Sequence, residues 1–209
     1  MQVRFGMAVV MAGFLLGDVS GAAVDTVKVL LRAVADGKMD VISRLLDTNA
    51  TIFDDPYDDG MCRGTLTDEI SIDTASHGET TVGAAALVRA AAGRQQGIVD
   101  LLCCPAILKT AYGLTDGSRS TAGAVALVAV AAARFRHDEG DRCAIVNALL
   151  ACDKTLMSLE YRETTTGRAA LKAAMLRRND ALVSLFSEKM TSEEVAYVRK
   201  EVALIQAEE

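Results

Sequence analysis

The sequence predicts an all-α fold in which helical hairpins stack as a solenoid that a C-terminal capping helix closes. Three observations lead to this prediction. A leucine followed by small or apolar residues occurs four times, at Leu30, Leu87, Leu127 and Leu171. A glycine stands four positions before the leucine in three copies, at Gly83, Gly123 and Gly167. An apolar pair and two bulky residues follow in each copy, as in Ile98-Val99 with Leu101-Leu102.

The spacing of these residues is that of two short helices joined by a turn. The apolar pair begins 11 residues after the leading leucine in the first, second and fourth copies, and 18 residues after it in the third. Alanines on the first helix permit close backbone approach, while the second helix supplies bulky side chains. One such hairpin cannot bury its apolar face alone, so several must stack.

The pattern resembles the ankyrin repeat, whose motif G-x-T-P-L-H-x-A-A is echoed by GAAALVRAA at residues 83–91. GAVAL at 123–127 and GRAAL at 167–171 echo it too. The Thr, Pro and His of the motif are absent, and the leading leucines are 57, 40 and 44 residues apart, whereas the family repeats about every 33. The resemblance covers residues 25–190 and implies a protein-binding scaffold. A compact Ala-rich helical bundle is the alternative fold.

Composition limits the class of protein. The chain has 209 residues, enough for one domain with a proper core, and it is 51% hydrophobic but only 4% aromatic. An interior of Ala, Val, Leu and Met suits close helix packing. The net charge of -6 argues against a nucleic-acid partner, because neutralising phosphates requires a basic surface.

Residues 1–23 have the pattern of a secretory signal segment. A short basic start precedes an apolar run of 13 residues, 5–17, which is too short to span a bilayer comfortably. Ser20 and Ala22 are the small residues that cleavage after Ala22 or Ala23 would need. We therefore expect a secreted or periplasmic protein with no membrane span once the segment is removed. The alternative is a cytoplasmic protein in which this segment is an apolar first helix.

Residues 24–190 are predicted to hold about four repeats, with insertions near 50–80 and 134–142. The first hairpin is expected at 25–35 and 39–46, with a turn at 36–38. The acidic run at 53–60 cannot be helical, and it fails as a calcium loop because its third and twelfth positions from Asp55 are Tyr57 and Leu66. We expect an extended, solvated loop at a repeat junction.

The remaining elements follow in order. Pro105 is expected to end the second helix of the second hairpin, and residues 112–121 are expected to form a turn. The seven extra residues of the third hairpin fall in the charged run 134–142, expected as a solvated turn. The fourth hairpin is expected at 168–190, turning at 177–180. A capping box at Thr191 to Glu194 then opens the C-terminal helix, 191–209, whose apolar side covers the last hairpin.

The five cysteines do not have the spacing of a disulfide scaffold. We expect them to be buried small apolar residues. A disulfide between Cys143 and Cys152 is disfavoured, because nine positions along one helix separate the two thiols too widely.

The function predicted from the sequence is a non-enzymatic scaffold for protein-protein interaction with an unidentified partner; its oligomeric state stays open. No catalytic, metal-binding or cofactor-binding residues are predicted. The resemblance implies partner contacts at exposed first-helix positions and loops, and the residues chosen are Arg32, Phe53, Tyr57, Arg89, Leu176 and Arg177. One alternative is a small helical enzyme whose site unites His77 and His137 from the two insertions; another is a structural accessory protein.

Overall fold

The computed structural model describes residues 19–48, 56–57, 80–114, 116–133 and 139–208, and this part of the chain is mostly helical, as predicted. Its α-helices are α1 Val19–Ala35, α2 Met39–Thr48, α3 Val82–Ala92, α4 Gln96–Leu102, α5 Pro105–Lys109, α6 Ala122–Ala132, α7 Glu139–Cys152, α8 Thr166–Leu176, α9 Asp180–Ser187 and α10 Ser192–Glu208. Its strands are β1 Pro56–Tyr57, β2 Thr80–Thr81, β3 Ala111–Gly113, β4 Arg119–Thr121, β5 Glu160–Tyr161 and β6 Thr164–Thr165.

The helices form two rows. Helices α1, α3, α6, α8 and α10, here the first row, pack side by side in chain order. Helices α4, α7 and α9, the second row, pack on one another in the same order, and α2 packs on α1. None of the helices in the described ranges is long and apolar enough to cross a membrane.

The first row carries the core because two of its members are built almost entirely of small and apolar residues: α6 throughout, and α3 with the single exception of Arg89. Every residue of α3 is buried, and so is every residue of α6 up to Ala131. A helix that is apolar all round must be buried, and α3 and α6 each lie between two first-row neighbours. All four leading leucines are fully buried, at 0% exposure.

A two-stranded antiparallel hairpin precedes each of α3, α6 and α8. The prediction of a turn at 112–121 is therefore wrong, because Ala111, Tyr112 and Gly113 pair with Thr121, Ser120 and Arg119. Within the insertion, for which an extended loop is predicted, the described positions form a short antiparallel pair, in which Tyr57 pairs with Thr80. The rest of that insertion lies outside the described residues.

Each hairpin runs directly into a helix through a threonine that caps it. The hydroxyls of Thr81, Thr121 and Thr165 accept hydrogen bonds from the backbone N–H groups of Ala84, Ala124 and Arg168. A side-chain oxygen at this position satisfies one of the amides that a helix start leaves unpaired. Each of these threonines stands two residues before one of the three glycines found in the sequence.

Two of these glycines let a helix start lie directly against the preceding segment. A Cβ on Gly123 would lie 2.7 Å from Leu156 Cδ2 and 3.2 Å from the Leu108 carbonyl oxygen. A Cβ on Gly167 would lie 2.9 Å from Met157 Cε and 3.0 Å from the Met157 carbonyl oxygen. A methyl group at either position would press against a neighbouring side chain and a carbonyl oxygen, so the close packing favours glycine at both.

We expect Gly123→Ala to lower the free energy of unfolding by about 1 to 3 kcal/mol, because the new methyl group overpacks the contact with Leu108 and Leu156. Gly97→Ala is the matched control, since nothing lies within 4 Å of a Cβ there. The control should raise stability by about 0.5 to 1 kcal/mol, because alanine favours the interior of α4. Urea unfolding followed by circular dichroism measures both. Equal effects of the two substitutions would contradict the close approach at Gly123.

The turns between first and second helices share one backbone feature. Gly37, Arg94 and Arg178 have φ angles of 69°, 60° and 55°, and each stands seven positions after a leading leucine. Left-handed backbone is costly for a residue with a Cβ, yet arginine occupies two of the three positions. The recurring conformation therefore follows from the geometry of the turn rather than from the residue type.

Asn179 begins the second helix of the last hairpin. Its side chain is 4% exposed, and its Oδ1 accepts a hydrogen bond from the Leu182 N–H at 3.0 Å. We expect Asn179→Ala to cost about 1 to 2 kcal/mol of unfolding free energy, because a buried amide loses its cap. Asn147→Ala, at an exposed position within α7, is the control and should be neutral or slightly stabilising. Thermal melts of the two variants would show this; a wild-type melting temperature for Asn179→Ala would count against the cap.

Three further expectations concern Pro105, the run 134–142 and the capping box at Thr191. Pro105 does not directly end the preceding helix: α4 ends at Leu102, and Pro105 begins α5, since proline at the first helical position lacks only an amide that needs no partner. The turn expected at 134–142 is too long, because α7 starts at Glu139; residues 134–138 lie outside the described residues.

The capping box is confirmed, with Thr191 N–H donating to Glu194 Oε2 at 3.1 Å and Glu194 N–H donating to Thr191 Oγ1 at 3.3 Å.

Candidate partner-binding groove

An open groove crosses the carboxyl-terminal ends of three neighbouring first-row helices, α6, α8 and α10. Its main cavity is about 610 Å³ in volume. A second cavity of about 470 Å³ adjoins it between the α8–α9 turn and α10. The two cavities share Arg178 and Gln206 in their walls. We call them together the C-terminal groove.

Helix α10 forms one wall because apolar and charged contacts hold it on α8. Val198 and Val202 are buried in this contact, at 0% and 6% exposure. Lys172 Nζ lies 2.6 Å from Glu201 Oε1, and Arg168 Nε lies 3.7 Å from Glu194 Oε1. Exposed ion pairs contribute little, about 0 to 1 kcal/mol each, so burial of the valines is the main stabilising contribution and the charges set the register.

The groove has an apolar part. The apolar residues that line it are Ala132, Ala173, Leu176 and Ile205 in the main cavity and Met175, Val183, Val202 and Ala203 in the second. Leu176 is the most accessible large one among them, at 40% exposure. Leu176 therefore gives the groove an accessible apolar surface.

Arginines supply the charged part of the groove. Arg177 caps the end of α8, and its Nε donates a hydrogen bond to the Ala132 carbonyl oxygen at the end of α6, at 2.9 Å. This bond uses one of the five donors of the guanidinium group and satisfies a carbonyl that the helix end would leave unpaired. Arg178 follows in the turn, and Arg199 comes from α10.

The charge of the groove is opposite to that of the whole chain. Arg177, Arg178 and Arg199 form no ion pair with any residue in the part of the chain that the structure describes. Asp180 is the single acidic residue in the walls of the two cavities. The chain carries a net charge of -6, so the C-terminal groove is a cationic site on an acidic protein.

The structure brings together two of the residues predicted for partner binding, Leu176 and Arg177, which both line the main cavity. Arg32 is exposed, but it lies on α1 at the opposite end of the first row. Tyr57 is part of β1, where its backbone pairs with Thr80. Phe53 lies outside the described residues. The six residues therefore do not form one surface.

The expectation that Arg89 is exposed is wrong. Arg89 is only 7% exposed, because α3 is packed between α1 and α6. Its equivalent in α6, Ala129, is fully buried at the same distance from the leading leucine. Arg89 therefore belongs to the interior of the first row.

Sequence reasoning missed Arg178, Arg199, Ile205 and Gln206 as groove residues. Arg178 could have been identified from the sequence, because it follows Arg177 directly in a predicted turn. Arg199 and Ile205 could not, since only the packing of α10 on α8 brings them to the same place. Contacts between residues this far apart in the chain depend on tertiary structure.

The His, Cys, Asp and Glu side chains of the described residues are scattered rather than clustered. No group of three or more His, Cys, Asp or Glu side chains there could hold a metal ion. His77 and His137, on which the enzyme hypothesis depends, both lie outside the described residues, so that hypothesis stays open.

Two cysteines of neighbouring second-row helices are in contact. Cys152 Sγ, at the end of α7, lies 2.7 Å from the Cys103 carbonyl oxygen, and Cys103 Sγ lies 3.6 Å from the Ala148 carbonyl oxygen. Burial of the Cys103 thiol, and secondarily its contact with Cys152, raise its pKa to about 12. None of Cys103, Cys104, Cys143 and Cys152 is in a disulfide bond. The expectation of burial is wrong for Cys152, which is exposed, whereas Cys103, Cys104 and Cys143 are half-buried, and Cys103 and Cys143 pack against the core; Cys62 lies outside the described residues.

Comparison of the chain with known protein families, with curated proteins and with solved structures finds no match.

Proposed function

We propose that the chain is a non-enzymatic, ankyrin-like repeat scaffold that binds a protein partner through the C-terminal groove. The observation that carries the proposal is the groove itself, in which the ends of three neighbouring helices offer an exposed leucine beside three arginines. Apolar contact surrounded by charged groups is the usual composition of a protein-binding surface.

Recurring local structure supports the ankyrin-like part of the proposal. The order β-hairpin, first helix, second helix occurs at β1–β2 with α3 and α4, at β3–β4 with α6 and α7, and at β5–β6 with α8 and α9. The leading leucines are buried in every copy. Left-handed backbone recurs at one position of the turns. Repeats that agree in so many local features are expected to stack on one another.

Affinity capture tests the proposed function. The chain is immobilised and exposed to an extract of its native compartment, and bound proteins are identified by mass spectrometry. We expect the wild type to retain a partner and Leu176→Ser to lose it, because the exposed apolar contact of the groove is removed. Leu101→Ser is the matched control, since Leu101 is 47% exposed on α4, outside the groove. Retention of the partner by Leu176→Ser, or loss by both variants, would contradict binding at the groove.

Export remains part of the proposal. Helix α1 begins at Val19, so cleavage after Ala22 or Ala23 would remove only its first residues and leave Leu30 in place. The mass of the chain purified from its host measures this. A mass lower by residues 1–22 or 1–23 would support a secreted or periplasmic protein, whereas an uncleaved chain would favour the cytoplasmic alternative.

A further inference from the structure

We infer that the C-terminal groove takes an acidic segment of a partner protein, in which carboxylates stand beside one or two apolar side chains. This inference rests on the proposed function and adds the chemistry of what is bound. It is carried by two independent properties of the groove, the arginines without ion-pair partners and the two cavities beside them.

The arginines point to an anionic partner. On the same helices, Arg168 lies beside Glu194 and Lys172 lies beside Glu201. Arg177, Arg178 and Arg199 have none within the described ranges. Guanidinium groups bind carboxylates through paired, charge-assisted hydrogen bonds. Glutamate and aspartate side chains therefore fit the guanidinium donors that remain available on all three arginines.

The cavities point to a short segment with apolar side chains. Their volumes, about 610 Å³ and about 470 Å³, lie in the range of ordinary ligand pockets, roughly 300 to 1,000 Å³. Each cavity can hold one or two side chains of a short segment. A folded domain would need a larger contact surface than these cavities provide. Leu176 and Ile205 in one cavity and Met175 and Val183 in the other would contact apolar side chains.

Polyanions such as nucleic acids fit this site less well. The chain as a whole carries a net charge of -6, which repels a long, uniformly charged polymer and leaves only a local attraction. A segment with a few carboxylates and some apolar side chains uses both parts of the groove. A nucleic acid uses only the arginines.

A random peptide library displayed on phage tests the inference with the full chain as bait. We expect the recovered 16-residue peptides to be enriched in Asp and Glu and to contain at least one large apolar residue. Synthetic peptides of the recovered sequences should bind less tightly as salt is added, because salt screens exposed charge pairs. Recovery of no binder, or of binders without acidic enrichment, would overturn the inference.

Substitutions then place the peptide on the groove. We expect Arg178→Gly and Arg199→Gln each to weaken binding of the selected peptide about tenfold, the loss of one charged contact. Arg178→Gly also keeps the test independent of folding, since glycine favours the left-handed backbone at that position and the variant should melt at or above the wild-type temperature. Arg32→Gln, at the other end of the first row, is the control and should bind like the wild type.

The outcomes separate this inference from the proposed function. If affinity for the peptide is unchanged in Arg178→Gly and Arg199→Gln, or if a single-stranded oligonucleotide displaces the peptide at equal concentration, the inference fails. A partner that is still captured by the wild type and lost with Leu176→Ser would then leave the scaffold function standing with a different partner chemistry. If Leu176→Ser still captures the partner, or if Leu101→Ser loses the partner as well, both the proposed function and this inference fail.

Discussion

Leu127→Ala is expected to lower the free energy of unfolding by about 3 to 5 kcal/mol, the upper part of the range for a buried leucine. Leu127 is fully buried in α6, and α6 is packed between α3 and α8. The cost of a cavity depends on how far its surroundings can collapse into it. Helices α3 and α6 consist largely of alanine and valine, whose short side chains cannot extend into the space that the leucine leaves.

Urea unfolding monitored by circular dichroism measures this effect as a lower midpoint at constant m-value. Leu204→Ala is the matched control, because Leu204 is 58% exposed on α10, and the change there should be within about 0.5 kcal/mol. A loss of less than about 1 kcal/mol for Leu127→Ala would mean that the first row is not packed tightly around α6.

The helices and their buried faces could be predicted because the signals were local. The leading leucines and the alanine runs that follow them mark α3, α6 and α8, and all four leucines are buried. Apolar periodicity over ten or so residues is the most dependable local signal of a helix. The capping box at Thr191 is equally local, since its donors and acceptors lie within four residues.

The β-hairpins could not be predicted in the same way. Their strands are two or three residues long and consist mostly of Thr and Tyr, so they are too short for an alternating pattern to develop. Contacts between neighbouring hairpins support them instead. Ser120 Oγ donates to the Glu160 carbonyl oxygen at 2.9 Å, and Arg162 Nε lies 3.1 Å from Asp116 Oδ2.

Arg89 shows why exposure is harder to predict than helix content. Its charge suggested solvent, but its position in α3 is covered on both sides by first-row neighbours. Arg32, two positions after the leading leucine of α1, is equivalent in sequence and exposed. The difference arises from the place of each helix in the row, which the local sequence does not encode.

Two residues of the groove could be predicted from the local sequence. Leu176 and Arg177 stand at the end of a predicted helix, where side chains are commonly accessible. Arg199 is separated from them by more than twenty residues, and it reaches the groove because Val198 and Val202 fix the face that α10 turns to α8. The arginine cluster is therefore a product of tertiary packing.

Alkylation of Cys103 is expected to be on the order of 100-fold slower in the folded protein than in the unfolded chain at about pH 8, because only the thiolate reacts and the higher nucleophilicity of a more basic thiolate offsets part of the fall in its fraction. Burial raises the pKa of the thiol from its ordinary value of 9.0 to about 12. A raised pKa means that the thiolate forms only as the pH approaches 12, so its fraction near pH 8 falls in proportion. The half-buried position against α7 adds steric protection.

Labelling with iodoacetamide, followed by mass spectrometry of the peptides, measures the rate at each cysteine. Cys152 is exposed and serves as the internal control, which should react in the folded protein. Urea should bring the two rates together. Cys152→Ser should accelerate labelling of Cys103 only modestly, because burial is the larger cause of the shift and the contact with Cys152 the smaller. If Cys103 reacted as fast as Cys152 in the folded chain, the packing of the end of α4 against α7 would be looser than the contact of 2.7 Å between Cys152 Sγ and the Cys103 carbonyl oxygen indicates.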